Sequence, residues 1–502
     1  MFKLTKLHII DHPFLGELNF DFVSKGEEKN GPYTTVLIGK NGTGKSLILR
    51  NIADIFEDLK NHFLPISKYR NKITYSYEGQ LYYKNSFIDF VYKPYSTERV
   101  FTGDLSKRKF EFTFYKDEKA IIQQADISPE KIAVSAYLVN DKFRFAAKDK
   151  KDYYIYLGLR QTANSAGTKS YLNRIIPYVI DYIKNKESIN ALEASLEFLE
   201  FDKNFFEVQY KCRYKYHFFN GQLTEETFID LLTDWKKFSK RKEAPRYIDY
   251  FSSAVRNNLD LVKRLVDYIN ELSRLYEIKV RGNSFVRINL MQSDLNKVEL
   301  LQVLNRLDLL ESPDIILSKN TKQINLQQAS SGEFHYFTSI LGLLTNIAAN
   351  SLILIDEPEI SFHPNWQLKY IYYLKQIFRN YTSCHFILAT HSHFIISDLE
   401  PENSNVLRII RNEENKLLVN SIKESTYGMS AEEILYRVFE LRSFRNYFFE
   451  IELRELLHLI SNKSDDAKRI NELIQNLRKV ELDKNDPLTQ ILKEADEYSK
   501  GL

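Results

Sequence analysis

The stretch Gly39-Lys40-Asn41-Gly42-Thr43-Gly44-Lys45-Ser46 constrains this chain more than any other, because it fits G-x-x-x-x-G-K-[ST] at every position. Glycines at Gly39, Gly42 and Gly44 let the backbone curl so that its N–H groups point inward, and a helix start behind them adds a positive end. Such a cradle holds phosphate. Lys45 is expected to reach the β- and γ-phosphates, and Ser46 to offer an oxygen to Mg²⁺. The loop also dictates its surroundings. The run TTVLI (34–38) before it reads as a buried strand, and SLILRNIADIFEDLKNHFL (46–64) after it repeats apolar residues at three and four.

Length and charge narrow the setting. With 502 residues the chain should hold two lobes or more. The 70 Lys and Arg against 67 Asp and Glu produce no global field, so any basic surface must be local. The N-terminus lacks the apolar core of a signal peptide, and no run approaches the roughly 18 apolar residues of a membrane span. Two distant cysteines, Cys212 and Cys384, suit a reducing compartment. The expectation is a cytoplasmic protein that takes no membrane partner.

The chain divides by texture. FKLTKLHII and GELNFDF read as an antiparallel pair, and KIAVSAYLV (131–139) and YYIYLGL (153–159) as further strands. The expected parts are a first half of the phosphate-loop domain over 1–165, a mainly helical insertion over 166–312, a second half of that domain over 313–425 and a helical tail over 426–502. One long helix is expected near 247–276, with Val262, Leu265, Val266, Ile269, Leu272 and Leu275 in one stripe. That stripe covers about two heptads, too few for a long coiled-coil arm. Aromatics make up 14% of the chain, and FFEVQYKCRYKYHFF (205–219) alternates as a half-buried strand does. A base-stacking platform is the other reading.

Chemistry concentrates at the ends of two continuous apolar strands. SLILI delivers Asp356 and Glu357. Asp356 is placed to hold Mg²⁺, and Glu357 to orient and deprotonate an attacking water. HFILAT ends at His391. Strands of that type with polar ends indicate a buried parallel sheet with its site at the carboxyl edge. His363, His391 and His393 could instead be read as a metal trio.

Ala329-Ser330-Ser331-Gly332-Glu333 then resembles the signature of ABC-type ATPases, usually L-S-G-G-Q or L-S-G-G-E. Ser330, Gly332 and Glu333 match, while Ala329 and Ser331 depart. DEPEISFHPNW and LATHSH resemble the overcoming-lysogenization-defect group and its RecF- and SMC-like relatives. PEKIAVSAYLVNDKF and YIYLGLRQTAN are similar to PtuA-type ATPases of Septu and retron anti-phage systems, with the PARIS ATPase a further resemblance. The resemblance implies an α/β ABC-ATPase head, a mixed sheet flanked by helices with antiparallel N-terminal strands. It further implies ATP and Mg²⁺ as cofactors, and a homodimer or higher homo-oligomer in which Ser330 and Gly332 serve the nucleotide of the other protomer. His391 would contact the γ-phosphate, and Gln161 would link metal to conformational change, with Gln123 and Gln124 behind it.

No second active site is legible. Asp465-Asp466 reads as a helix cap rather than a metal site, so effector chemistry is expected on a separate partner: an HNH or Toprim-type nuclease, or a toxin. Lys236, Lys237, Lys240, Arg241, Lys242 and Arg246 around Trp235 would form a phosphate-binding face or an ordinary solvated helix surface. A RecF-like DNA-binding repair ATPase is the alternative. In the tail, the stripe Leu453, Leu456, Leu457 and Ile460 is expected either to dock a partner or to pack a core.

Overall fold

The structure is a computed structural model that describes residues 1–23, 31–61, 73–84, 86–94, 110–116, 119–120, 128–138, 141–144, 153–158, 160–162, 165–166, 172, 176, 179–180, 182–183, 186–237, 247–275, 277–280, 283–291, 294–441, 446–479 and 487–500. Residues 1–428 form one compact unit and 429–502 a second.

A seven-stranded sheet organises the first unit, in the spatial order Leu417–Ser421, Ser404–Arg411, Tyr33–Gly39, His385–Thr390, Leu352–Asp356, Ile132–Ala136, Tyr154–Tyr156. All neighbours run parallel except the edge pair Ser404–Arg411 and Leu417–Ser421. The central strands are buried at every position from Leu352 to Asp356 and from His385 to Thr390, the sign of a sheet covered on both faces. Register places Asp356 opposite Ala389, and Thr390 opposite Ile38, so three strand ends meet at one edge.

A six-stranded antiparallel sheet begins with the predicted pair, now Phe2–His12 and Gly16–Asp21. The helix Lys45–Asn61 packs between the two sheets. Ile48, Leu49, Ile52, Ile55, Phe56 and Leu59 of this helix are all buried, against Phe2, Leu4 and Leu7 on one side and Leu37, Leu354 and Ile387 on the other. At roughly 1.5–3 kcal/mol for each large buried apolar side chain, this double contact anchors the phosphate loop at the helix's first turn.

The inserted segment, expected to be mainly helical, also supplies three strands of a five-stranded antiparallel sheet, completed by two strands that run past its expected end at 312. Its order is Glu277–Val280, Asn283–Asn289, Phe206–Cys212, Leu310–Lys319, Lys322–Asn325. Phe206, Val208, Tyr210 and Cys212 face inward and the residues between them outward, so the aromatic alternation is strand packing. It stops at Cys212, since Tyr214 has φ +50° and begins the short helix Lys215–Phe218. The helix expected near 247–276 is interrupted. A π turn at Phe251–Val255 carries the Arg256 N–H to the Phe251 carbonyl at 2.8 Å, and Asn258 Oδ1 caps the helix Leu259–Leu275 through the Leu261 N–H. Val262, Leu265, Val266, Ile269 and Leu272 are buried as the stripe predicts.

In the second unit the helices Tyr447–Ser461, Ala467–Leu477 and Pro487–Lys500 surround Leu456, Ile470, Leu473, Ile474 and Leu492. Leu453 and Ile460 pack against that core, whereas Leu457 is exposed. Tyr447 and Phe448, six and five residues before Leu453, are strongly exposed apolar residues of the same helix. Asp466 accepts the Arg469 N–H at 3.0 Å and caps its helix.

Candidate functional site

The phosphate loop has the backbone its sequence demands. Gly42 and Gly44 take φ +80° and +84°, a region that side-chained residues avoid. Gly39 answers a close approach: a Cβ there would lie 2.6 Å from the Ile409 carbonyl oxygen. Asn41 is exposed at the loop tip. The first turn of the helix carries no acid of its own, which leaves its positive end suited to an anion.

Lys45 is buried, its Nζ donating to the Gly39 carbonyl at 2.9 Å and lying 2.7 Å from His391 Nε2. Burial lowers its pKa to about 8, against the opposing pull of Glu357, Glu359 and Asp356. Ser46 Oγ donates to Asp356 Oδ1 at 3.0 Å. Asp356 is pushed up to about 7, chiefly by burial and also by Glu357, Glu359 and Asp141; the Ser46 hydrogen bond works the other way. Glu357 is held below the usual carboxylate range, first by its bond to His391, whose Nε2 stands 3.5 Å from Glu357 Oε1. Its backbone is unusual too, at φ +48°, with its N–H donating to the Ala389 carbonyl at 2.8 Å. The structure therefore gathers Lys45, Ser46, Asp356, Glu357 and His391 at one sheet edge.

Ser330 and Gly332 begin the helix Ser331–Asn346 in a capping box: Ser330 Oγ accepts the Glu333 N–H at 3.3 Å, and Glu333 Oε2 accepts the Ser330 N–H at 2.9 Å. Ser330 is exposed, whereas Gly332 is buried under the Ser361 carbonyl and the Trp366 ring. Gln161 lies in the strand Arg160–Thr162, which pairs with Ser165–Ala166 in a separate two-stranded sheet; Gln123 and Gln124 fall outside the described residues. The histidine trio is not assembled. His363 Nδ1 accepts the Asn365 N–H at 3.3 Å, His393 packs on Phe394, and among the described residues no three His, Cys, Asp or Glu side chains form a metal-binding group. Of the basic cluster, Lys237 pairs with Asp230 at 2.7 Å and Lys236 sits over Trp235, while Lys240, Arg241, Lys242 and Arg246 are outside the described residues.

Two residues, Asp141 and Gln367, escaped the sequence reading, and a third, Glu359, was singled out only as part of the DEPEISFHPNW stretch. Asp141, just beyond the strand Ile132–Ala136, is buried, accepts from the Tyr156 hydroxyl and acts on Asp356. Glu359 accepts the His391 N–H at 2.6 Å, and Gln367 Oε1 accepts the Ser392 hydroxyl at 2.6 Å. Glu359 alone carried a signal, as the third acid in Asp356-Glu357-Pro358-Glu359.

The residues fit Mg·ATP. Gly42 and Gly44 shape a loop open to an anion, and the hydroxyl and carboxylate of Ser46 and Asp356 are the hard oxygen donors Mg²⁺ takes. A cavity of about 630 Å³ runs along the helix Lys45–Asn61, lined by Leu47, Arg50, Asn51, Asp54, Glu57 and Asp58 among others, and none of the loop residues 39–46 lines it.

Fold and site together define an α/β head with the phosphate loop and acidic strand end of a nucleotide-binding site. Residues 206–397 match the family described as "AAA domain, putative AbiEii toxin, Type IV TA system". The chain is similar to the Retron Ec83 probable ATPase of Escherichia coli, 29% identical over 172 residues that cover 30% of each chain. It is also similar to the Retron Vc95 probable ATPase of Vibrio cholerae serotype O1 biovar El Tor, 21% identical over 472 residues that cover 86% of this chain and 78% of the relative. Among solved structures, an Smc head domain from Pyrococcus furiosus aligns over 88% of this chain and all of its own, at 10% identity and a TM-score of 0.34. No helix among the described residues is long and apolar enough to cross a membrane.

Proposed function

We propose that this chain binds and hydrolyses ATP as a subunit of a bacterial anti-phage defence complex, closing head to tail around the nucleotide and thereby controlling a separate nuclease or toxin. The observation that carries the reading is the convergence of Lys45 and Ser46 with Asp356, Glu357 and His391, joined by contacts of 2.7 to 3.5 Å. The exposed Ser330 at a helix start supports the sharing of nucleotide between protomers: its hydroxyl, here donating to Glu333 Oε2 at 2.8 Å, lies at the surface, where a γ-phosphate brought by a second copy would compete with Glu333 for it. The retron relatives support the defence setting.

Each residue has a task. The loop N–H groups and Lys45 bind the β- and γ-phosphates. Ser46 and Asp356 would hold Mg²⁺, which neutralises phosphate charge when bound. Glu357, kept ionised by its neighbour His391, takes the proton of the attacking water, and His391 contacts the γ-phosphate. Two nucleotides fixing one seam need supply only about 5.5 kcal/mol of differential affinity to turn a 1:99 open–closed ratio into 99:1.

The experiment is gel filtration with Mg·ATP. Glu357→Gln should bind ATP and accumulate as dimer, and Lys45→Ala should stay monomeric and bind poorly. A Glu357→Gln protein whose size ignores ATP overturns the shared seam.

A further inference from the structure

The loop between the acid strand and the helix Pro364–Ile377 contains a carboxylate that the hydrolytic scheme leaves unused. Glu359 Oε1 accepts the backbone N–H of His391 at 2.6 Å. Burial raises its pKa, while the His391 N–H, its own N–H and the Thr390 hydroxyl favour its charged form. One residue further on, Ser392 Oγ donates to Gln367 Oε1 at 2.6 Å, and Gln367 Nε2 donates to the Phe362 carbonyl at 3.0 Å. The turn bearing His391 is thus fastened at two consecutive residues, directly to the acid loop through Glu359 and to the helix that follows it through Gln367, whose amide also holds the loop's Phe362 carbonyl.

The acid loop is itself fixed. Glu357 and Ser361 both sit at positive φ, +48° and +66°, which residues with side chains hold only where surroundings enforce it. Phe362 lies in edge or tilted contact with Tyr137, Tyr336, Trp366 and Tyr370, and the Ser361 carbonyl abuts Gly332. A rigid loop that grips His391 by its backbone decides where the imidazole stands relative to Glu357 and Lys45. Glu359 touches neither partner's reacting atoms; it acts through His391.

We propose that Glu359 is a positioning residue: its bond to the His391 N–H sets the placement of the His391 ring between Glu357 and Lys45. The catalytic part of this inference rests on the ATPase reading above; the placement of the ring does not. Because a displacement of about 1 Å can cost on the order of 100-fold in rate, loss of the bond should fall on kcat.

The test compares Glu359→Gln, which keeps an oxygen acceptor, with Glu359→Ala. Glu359→Ala should lower kcat for ATP on the order of tenfold or more with KM within about twofold, while Glu359→Gln stays close to wild type. Independently of turnover, the ring C–H resonance of His391, assigned by its loss in His391→Asn, should move in Glu359→Ala and not in Glu359→Gln, with the core His385 resonance fixed in both. An unmoved His391 resonance in Glu359→Ala, or equal damage from the two variants, overturns the inference. Wild-type protein without ATP hydrolysis would overturn the ATPase reading instead, and the resonance would still decide Glu359.

Discussion

Ser46 and Asp356 are joined by a 3.0 Å hydrogen bond although 310 positions of sequence separate them. One sits on the first turn of a helix and the other at the end of a strand; parallel register through the strand His385–Thr390 brings them together. Two oxygen donors at one point behave as a unit. Ser46→Ala and Asp356→Asn should each reduce ATP turnover by about 100-fold or more, and the double variant should be little worse than the worse single one. Additive losses in steady-state assays would mean the two residues serve separate tasks.

Two glycines are held by contact rather than by conformation. A Cβ on Gly332 would lie 2.4 Å from the Ser361 carbonyl, and one on Gly39 would lie 2.6 Å from that of Ile409. Neither obstacle is a flexible side-chain end, so Gly332→Ala and Gly39→Ala should each cost about 1–3 kcal/mol. Thermal unfolding measures this, and Gly39→Ala should weaken nucleotide binding as well, because the distortion falls on the phosphate loop itself.

The buried His385 predicts acid sensitivity. Its Nδ1 accepts the Leu4 N–H at 3.2 Å, so its proton is on Nε2, which meets Thr35 Oγ1 at 2.9 Å; the Thr35 hydroxyl in turn donates to the Phe22 carbonyl at 2.8 Å. Burial, helped by nearby Lys3, pushes its pKa down to about 3. Between that value and the ordinary 6.5 the unfolded chain binds the extra proton, so stability falls as pH is lowered through this window, by up to about 4 kcal/mol. Denaturant unfolding from pH 7 to pH 4 should show this slope, and His385→Gln should flatten it.

In the second unit, Leu456 is fully buried while Tyr447 and Phe448 are largely exposed. Leu456→Ala should destabilise the unit by about 2–5 kcal/mol. Joint replacement of Tyr447 and Phe448 by Ser should leave the unfolding midpoint nearly unchanged. Equal losses in calorimetry would show that the helix Tyr447–Ser461 buries a different face.

The elements legible in the linear chain are those whose signal is local. A glycine pattern after a strand, an apolar run ending in Asp356-Glu357, and a second run ending at His391 each carry their meaning within about ten residues, because backbone conformation and strand burial are set by neighbours in sequence. The placement of these runs at one sheet edge follows the rule for parallel sheets, and the coordinates bring Lys45, Asp356, Glu357 and His391 within reach of one another.

Other features depended on partners far along the chain. The alternation over 205–219 marked the strand Phe206–Cys212, but not its neighbours Asn283–Asn289 and Leu310–Lys319, so the sheet they form within a largely helical segment was not legible. Periodicity marked the stripe at Leu453 to Ile460 but could not say that Leu456 turns inward while Leu457 remains exposed. The stretch DEPEISFHPNW marked the loop that holds Glu359, but only folding placed that carboxylate under the His391 N–H. Local sequence sets dihedral angles and the alternation of faces; the burial of a given side chain, and the donor it meets, come only from segments that the fold brings together.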